Sequence, residues 1–498
     1  MVTSASTRLR RSGAVAGPAL FLAALAFGPR WMPDAAAAAL AATLWIAAWW
    51  ITEPIPIPAT SLLPLALFPV LGVGSIDEAA RPYANPVIYL FLGGFLLAIA
   101  LERWDVHRRV ARAVVGAVGD RPRRLLLGLM AATAFLSMWV SNTATTLMMI
   151  PVAAAVVGVE VGGRAGDAAD ADSSGLDADG DAQSRRPPYA RAVLLGVAYA
   201  ATVGGLATPI GTPPNAILLG VARERLGVDV AFVDWMLLAT PLAVALLVAT
   251  WGVLALVFRD GIADASVEPS TGLGDGAAAT DRVTGPLSSG QRRVVAVFAL
   301  VALGWLTRPF LLEPVVPGVS DAGIAVAGAV LLFLAPSGED GRLLDWEDAR
   351  DVPWGVLLLF GAGFSLASAF QRTGFDAWVA GRIAELPALP APLLLAAVLS
   401  GLVLLGEIAS NTASAALFVP LAGASAATLG FAELPLMVAV ALGASVGFVL
   451  PVATPPNAVA YGTGAITTRD MARAGVWIDA IGIGFVVATA LLWLPVVL

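Results

Sequence analysis

The chain has 498 residues, 58% of them hydrophobic and 13% charged, so it is too apolar to hide that surface in one soluble core. Its net charge of -7, with no basic patch interleaved with aromatics, gives no sign of nucleic-acid binding. With no cysteine and a single histidine, His107 in an arginine-rich loop, disulfides, thiolate metal sites and nucleophile–base chemistry lack their residues, which argues against a membrane-embedded enzyme.

Apolar stretches at about 13–29, 37–51, 60–74 and 86–101 open the chain. They approach the ~20 residues that a membrane-spanning helix needs. Arg8-Leu9-Arg10-Arg11 ahead of the first reads as the start of a retained helix rather than of a cleaved signal peptide. Further spans follow at about 231–257, 294–311, 321–335, 352–370 and 475–498.

Two apolar regions are interrupted midway by helix-capping residues and read as re-entrant hairpins. The first runs from Arg124 to about Gly158 around Ser141-Asn142-Thr143; the second from about Leu389 to Leu429 around Ser410-Asn411-Thr412. Each arm has about 15–18 residues, or roughly 22–27 Å of helix. Downstream of each hairpin a second apolar run is broken by a proline pair, at Gly211-Thr212-Pro213-Pro214-Asn215 and at Ala453-Thr454-Pro455-Pro456-Asn457. Adjacent prolines remove backbone donors and force the preceding residue out of helical angles, yet suit the first turn of the helix that restarts.

Hairpin, broken helix and closing span therefore occur twice. Ser141 to Pro151 and Ser410 to Pro420 are both ten apart, whereas Ser141 to Thr212 is 71 residues and Ser410 to Thr454 is 44, a difference of 27. A polar, low-complexity insertion at 162–188 accounts for it and reads as a disordered loop. Within it Asp170, Asp172, Ser174 and Asp181 resemble an EF-hand calcium loop, but amphipathic flanks are missing and the closing glutamate is Asp181.

All 29 basic residues are arginine, and alternating spans from an inside N-terminus place 22 of them inside. The C-terminus then lies outside, the first hairpin enters from inside and the second from outside, and the two halves are inverted in the membrane. The chain divides into N-terminal spans, mostly scaffold, at 1–123; a first repeat core at 124–258; a flexible inside linker at 259–293; second-half scaffold spans at 294–388; and a second repeat core at 389–498.

Non-helical backbone at membrane depth survives only around protein or a watery cavity, so four interruptions imply a polar site. Helix starts there offer free N–H groups to anions; helix ends, with Ser, Thr and Asn oxygens, suit a small hard cation such as sodium. The windows 137–146, 202–215, 406–414 and 445–457 contain no Arg, Lys or His, so bound cations must help to hold an anion. Two carboxylates stand out in apolar surroundings: Glu53, read as sitting at an interface between two spans, and Glu407, read either as a cap to a neighbouring arm or as a tuner of a cation site.

These residues resemble the divalent anion:sodium symporter family, which carries dicarboxylates, citrate and sulfate. The resemblance rests on Trp49–Thr60, Asn85–Phe95, Leu136–Thr145 and both Pro-Pro-Asn breaks, and covers most of the chain. It implies an all-α polytopic membrane protein of elevator type, with an inverted repeat of two re-entrant hairpins and two broken helices, in a homodimer of the plasma membrane. By motif, it implies a first sodium at Ser137, Ser141, Asn142 and the Gly211 carbonyl, and a second at Gly406, Ala409, Asn411, Ala453 and Pro455. The anion would meet Asn142, Thr143, Thr212, Asn411 and Thr412. The family usually has a hydroxyl residue where Gly406 stands. The expected activity is sodium-coupled symport of a divalent anion, foremost a C4-dicarboxylate such as succinate; an exchanger of the same fold, an arsenite or proton-coupled carrier, and a channel are the rival readings.

Overall fold

A computed structural model of the chain describes residues 2–110, 113, 121–157, 188–263, 285–338, 341–385 and 389–497. Most of the 162–188 insertion, its calcium-like loop and part of the 259–293 linker lie outside the described residues. Among the described residues regular structure is helical, apart from one isolated bridge between Pro336 and Arg342.

Among the described residues seven helices are long and apolar enough to cross a membrane, and five shorter apolar helical stretches accompany them. In chain order the elements used below are α1 (Val2–Phe27), α2 (Asp34–Thr52), α3 (Pro86–Arg103), α4 (Pro122–Ser137), α5 (Asn142–Val156), α6 (Pro188–Gly205), α7 (Pro213–Leu226) and α8 (Phe232–Val257). The second half contributes α9 (Ser289–Thr307), α10 (Asp321–Leu334), α11 (Trp354–Thr373), α12 (Phe375–Ile383), α13 (Ala391–Gly406), α14 (Asn411–Ser425), α15 (Glu433–Gly443), α16 (Pro455–Gly462) and α17 (Thr468–Ala488). The apolar stretch expected at 60–74 is not one spanning helix: a short helix Ile57–Thr60 ends at the first residue of that stretch, and a second, Leu63–Val70, starts anew with Pro64 in its first turn.

Small residues let these helices approach closely. A Cβ at Gly204 would overlap the Ala134 carbonyl of α4, and one at Gly93 would overlap Ala325 of α10. Helix α6 is buried along nearly its whole length, packed on α4, α5 and α8. The two halves also interlock reciprocally. Helix α7, which follows the first break, packs on α14 and α15, while α16, which follows the second break, packs on α5 and α6.

Two largely buried arginines away from the centre are paired. Arg225 of α7 reaches Asp376 of α12 at 2.9 Å and Glu433 of α15 at 2.8 Å, and Arg308 reaches Asp321 at 2.7 Å. Leaving one member of such a pair uncompensated costs more than the pair itself contributes.

The close approach of α6 to α4 has a direct test. Gly204→Val should destabilise the detergent-solubilised protein by about 1–3 kcal/mol through forced separation of the two helices. The control Gly381→Ala, where an added Cβ meets open space, should leave the melting temperature in place.

Candidate functional site

Each interruption is built by its local sequence. Helix α4 ends at Ser137, and Ser141 starts α5 by accepting from the Ala144 N–H at 3.2 Å. Helix α13 ends at Gly406, and Ser410 caps α14 through the Ala413 N–H at 3.5 Å. The arms are 16 and 15 residues long in both hairpins. Before the proline pairs, Thr212 (φ −145, ψ 143) and Thr454 (φ −138, ψ 150) take the same extended conformation, as the following proline demands.

Asn215 and Asn457 then hold the breaks in shape. Asn215 Nδ2 donates to the carbonyls of Gly205 (3.2 Å), Leu206 (3.4 Å) and Thr208 (2.8 Å). Asn457 Nδ2 donates to those of Gly447 (3.2 Å) and Leu450 (3.0 Å). The same offset relates both sets: 457 − 215, 447 − 205 and 450 − 208 all equal 242. Each tip is tied to its own break as well, by different chemistry. In the first half Thr208 Oγ1 donates to the Met138 carbonyl; in the second the Glu407 carboxylate accepts from the N–H of Val449 (3.0 Å) and of Leu450 (2.6 Å).

The two tips and two breaks meet around one cavity of about 870 Å³. Ser141, Asn142, Thr143, Gly211 and Thr212 line it from the first half, and Ala409, Asn411, Thr412, Ala453 and Pro455 from the second. Trp50, Phe91, Phe95 and Val356 add apolar wall, and Glu53 is the one charged residue among those lining it. Glu53 caps α2 in the left-handed region (φ 45, ψ 51) and stands 4.0 Å from Arg10. Its place is thus the cavity rim, not only a joint between spans.

Two residues named from sequence, Ser137 and Gly406, stand behind the lining. Ser137 Oγ donates to the Ala201 carbonyl at 2.7 Å. The side-chain amide atom of Asn142 that points inward lies 2.6 Å from Ser137 Oγ and 3.1 Å from both the Ala201 and Gly211 carbonyls. A nitrogen there shares its two N–H groups among the three; an oxygen there accepts from the Ser137 hydroxyl at 2.6 Å and faces the two carbonyls in an all-oxygen cluster that a cation would complete. In the second half Asn411 Oδ1 is buried without a partner, and a Cβ at Gly406 would have ordinary room, 3.4 Å from that oxygen and 3.9 Å from the Val446 carbonyl. The buried Ser445 Oγ is also unpartnered.

Glu407 does not line the cavity; its carboxylate is committed to the second break. Sequence reading passed over Asp479, a third carboxyl in an apolar segment, which accepts from the Phe448 N–H at 3.1 Å. It also passed over Thr208, Trp235 and Tyr199. For Asn215 and Asn457 the repeated Pro-Pro-Asn was the available signal.

A family model described as the sodium:sulfate symporter transmembrane region matches residues 15–498. The chain belongs to the sodium:sulfate symporter family. As a member of this family it is a multi-pass membrane transporter and not an enzyme. It is 38% identical, over 494 residues, to the sodium-dependent dicarboxylate transporter SdcS of Staphylococcus saprophyticus subsp. saprophyticus, covering 98% of this chain and 92% of that protein. It is 38% identical, over 495 residues, to SdcS of Staphylococcus aureus strain USA300, covering 98% and 91%.

Among solved structures, the Alcanivorax borkumensis YdaH transporter superposes with a TM-score of 0.51 at 15% identity, covering 83% of this chain and 86% of that one. Neisseria gonorrhoeae MtrF, described as one of a class of antimetabolite efflux pumps, does so with 0.54 at 14%, covering 84% and 83%. At that identity they show a shared fold alone.

The asparagine clamps generate a prediction. Asn215→Leu and Asn457→Leu each strip buried carbonyls of their donor and should each lower unfolding stability by about 1–3 kcal/mol, read as thermal denaturation of the detergent-solubilised protein. Wild-type melting curves for both would contradict the clamp.

Proposed function

We propose that the chain is a secondary active transporter that carries a divalent anion, foremost a C4-dicarboxylate such as succinate, together with sodium. The observation that carries this reading is the inward amide of Asn142, set among the Ser137 hydroxyl and the Ala201 and Gly211 carbonyls in a cavity lined by no Arg, Lys or His among the described residues. Such oxygens fit a small hard cation, the transported partner ion. The names of the staphylococcal relatives, sodium-dependent dicarboxylate transporters, support the same pairing.

Sodium would take Ser137, Ser141, Asn142 and Gly211 in the first half, and Gly406, Ala409, Asn411, Ala453 and Pro455 in the second. The anion would lie between the tips, on Asn142, Thr143, Thr212, Asn411 and Thr412, which offer neutral donors to its oxygens. The helix starts of α5 and α14 add their N–H groups and positive dipole ends. A dianion in a cavity without cationic side chains is disfavoured until cations bind. At an effective dielectric of about 20, each unit charge 4 Å away contributes about 4 kcal/mol before desolvation. Cation and anion affinities are therefore linked, each raising the other.

The reciprocal packing of α7 on α14 and α16 on α5, together with the matching asparagine clamps, supports an inverted repeat whose cores at 124–258 and 389–498 move against the scaffold spans, as the elevator resemblance implies. With the N-terminus inside, the end of α2 and the start of α11, which supply Glu53 and Pro353 to the rim, face inside, so the cavity opens inward. An exchanger of the same fold would be expected to replace a cation site with a basic side chain, and the lining offers none.

Uptake of labelled succinate and of sulfate into proteoliposomes tests this reading under inward sodium, potassium and proton gradients. Sodium should drive accumulation; accumulation without sodium contradicts symport, and an absolute need for internal anion would mean exchange. Asn142→Ala and Asn411→Ala should each weaken anion binding by about 1–3 kcal/mol, measured as the shift in half-saturating anion concentration.

A further inference from the structure

The two breaks satisfy their backbone by different means. In the first, the amides of Leu206 and Ala207 donate to the carbonyls of Val203 and Gly204, within the same segment. In the second, three successive amides leave their own segment and bind side-chain carboxyls: Phe448 N–H to Asp479 Oδ1 at 3.1 Å, Val449 N–H to Glu407 Oε1 at 3.0 Å, and Leu450 N–H to Glu407 Oε2 at 2.6 Å. The carbonyls are taken as well. Tyr199 of α6 donates to Phe448 at 2.8 Å, and Asn457 Nδ2 to Gly447 and Leu450.

Asp479 comes from α17, and it and Glu407, two buried carboxyls 7% and 6% exposed, together grip the 448–450 strip through its three amides. Among the described residues no carboxyl binds the corresponding strip of the first break. The side chain that does correspond in role is neutral: Trp235 Nε1 donates to the Leu206 carbonyl at 3.0 Å.

The difference falls where the halves differ at the cation sites. Position 406 stands four before Ser410, as Ser137 stands four before Ser141, but it is glycine and brings no side-chain oxygen. What remains near it is Asn411 Oδ1 and the carbonyl of Val446, two residues before the 448–450 strip. We propose that Asp479 is a positioning residue for the cation site of the second half: with Glu407 and Tyr199 it fixes the 448–450 backbone, so that backbone oxygens make up for the hydroxyl that Gly406 lacks. This rests on the sodium-coupled reading above. Because Tyr199 belongs to the broken helix of the first half, the same clasp joins the two cation sites through the Phe448 peptide.

The test is sodium activation of succinate uptake by the full-length protein in proteoliposomes. Asp479→Leu, similar in size but without an acceptor, should raise the half-saturating sodium concentration by about three- to thirtyfold, while the half-saturating succinate concentration at saturating sodium moves less. Asp479→Asn keeps an acceptor for the Phe448 amide and a donor toward Glu407, and should restore the sodium value to within about twofold. Tyr199→Phe removes one hydroxyl from a packed ring; it should raise the sodium value and lower the Hill coefficient even if Asp479→Leu fails to fold. If the unsubstituted protein accumulates succinate without sodium, the symport reading itself falls. If it requires sodium and both Tyr199→Phe and Asp479→Leu keep its activation curve, or if Asp479→Asn is as impaired as Asp479→Leu, the positioning role alone is overturned.

Discussion

Backbone N–H and C=O groups that leave a helix at membrane depth must find partners inside the protein, because lipid offers none. This chain breaks its helices four times around one cavity, and much of its buried polar chemistry serves those breaks. Asn215 and Asn457 spend their amide donors on the carbonyls of the broken strips. Trp235 and Tyr199 reach the carbonyls of Leu206 and Phe448. With these atoms occupied, the groups that still face the cavity are the Ser, Thr and Asn side chains of the tips and the helix starts beside them. Neutral donors and acceptors of this kind offer no fixed positive charge to an anion, and the proposed dependence on cations follows from that.

The halves share a scheme and differ in execution. The same offset carries Asn215 to Asn457 and Thr212 to Thr454, yet the tips are tied to the breaks by the Thr208 hydroxyl in one half and by the Glu407 carboxylate in the other. A hydroxyl stands behind Asn142, whereas glycine stands behind Asn411. The first cluster therefore has a side-chain hydroxyl beside its carbonyls that the second lacks, which makes the geometry of the 448–450 strip matter more in the second half.

Much of this was legible in the sequence because covalent geometry writes it plainly. Proline pairs force a break wherever they fall, and Ser-Asn-Thr at a helix start caps it, so tips, breaks and arm lengths follow from residue types and spacing. The stretch at 60–74 misled because its composition is that of a span while Pro64 starts a new short helix within it. Asp479 was passed over because an apolar helix tolerates one acid without a change in its periodicity, and its partner, the Phe448 amide, is backbone and leaves no mark in the sequence. Glu407 showed its importance but not its direction. Only the fold shows that its carboxylate turns from the cavity to the neighbouring break.

The central claim is that the anion is held in a cavity without cationic side chains and so depends on bound sodium. Calorimetric titration of succinate into purified protein, at rising sodium with choline as the balancing ion, measures this directly. The account predicts that anion affinity climbs with sodium and that succinate raises sodium affinity by the same factor, as linkage requires. Equal succinate affinity in choline and in sodium would contradict it.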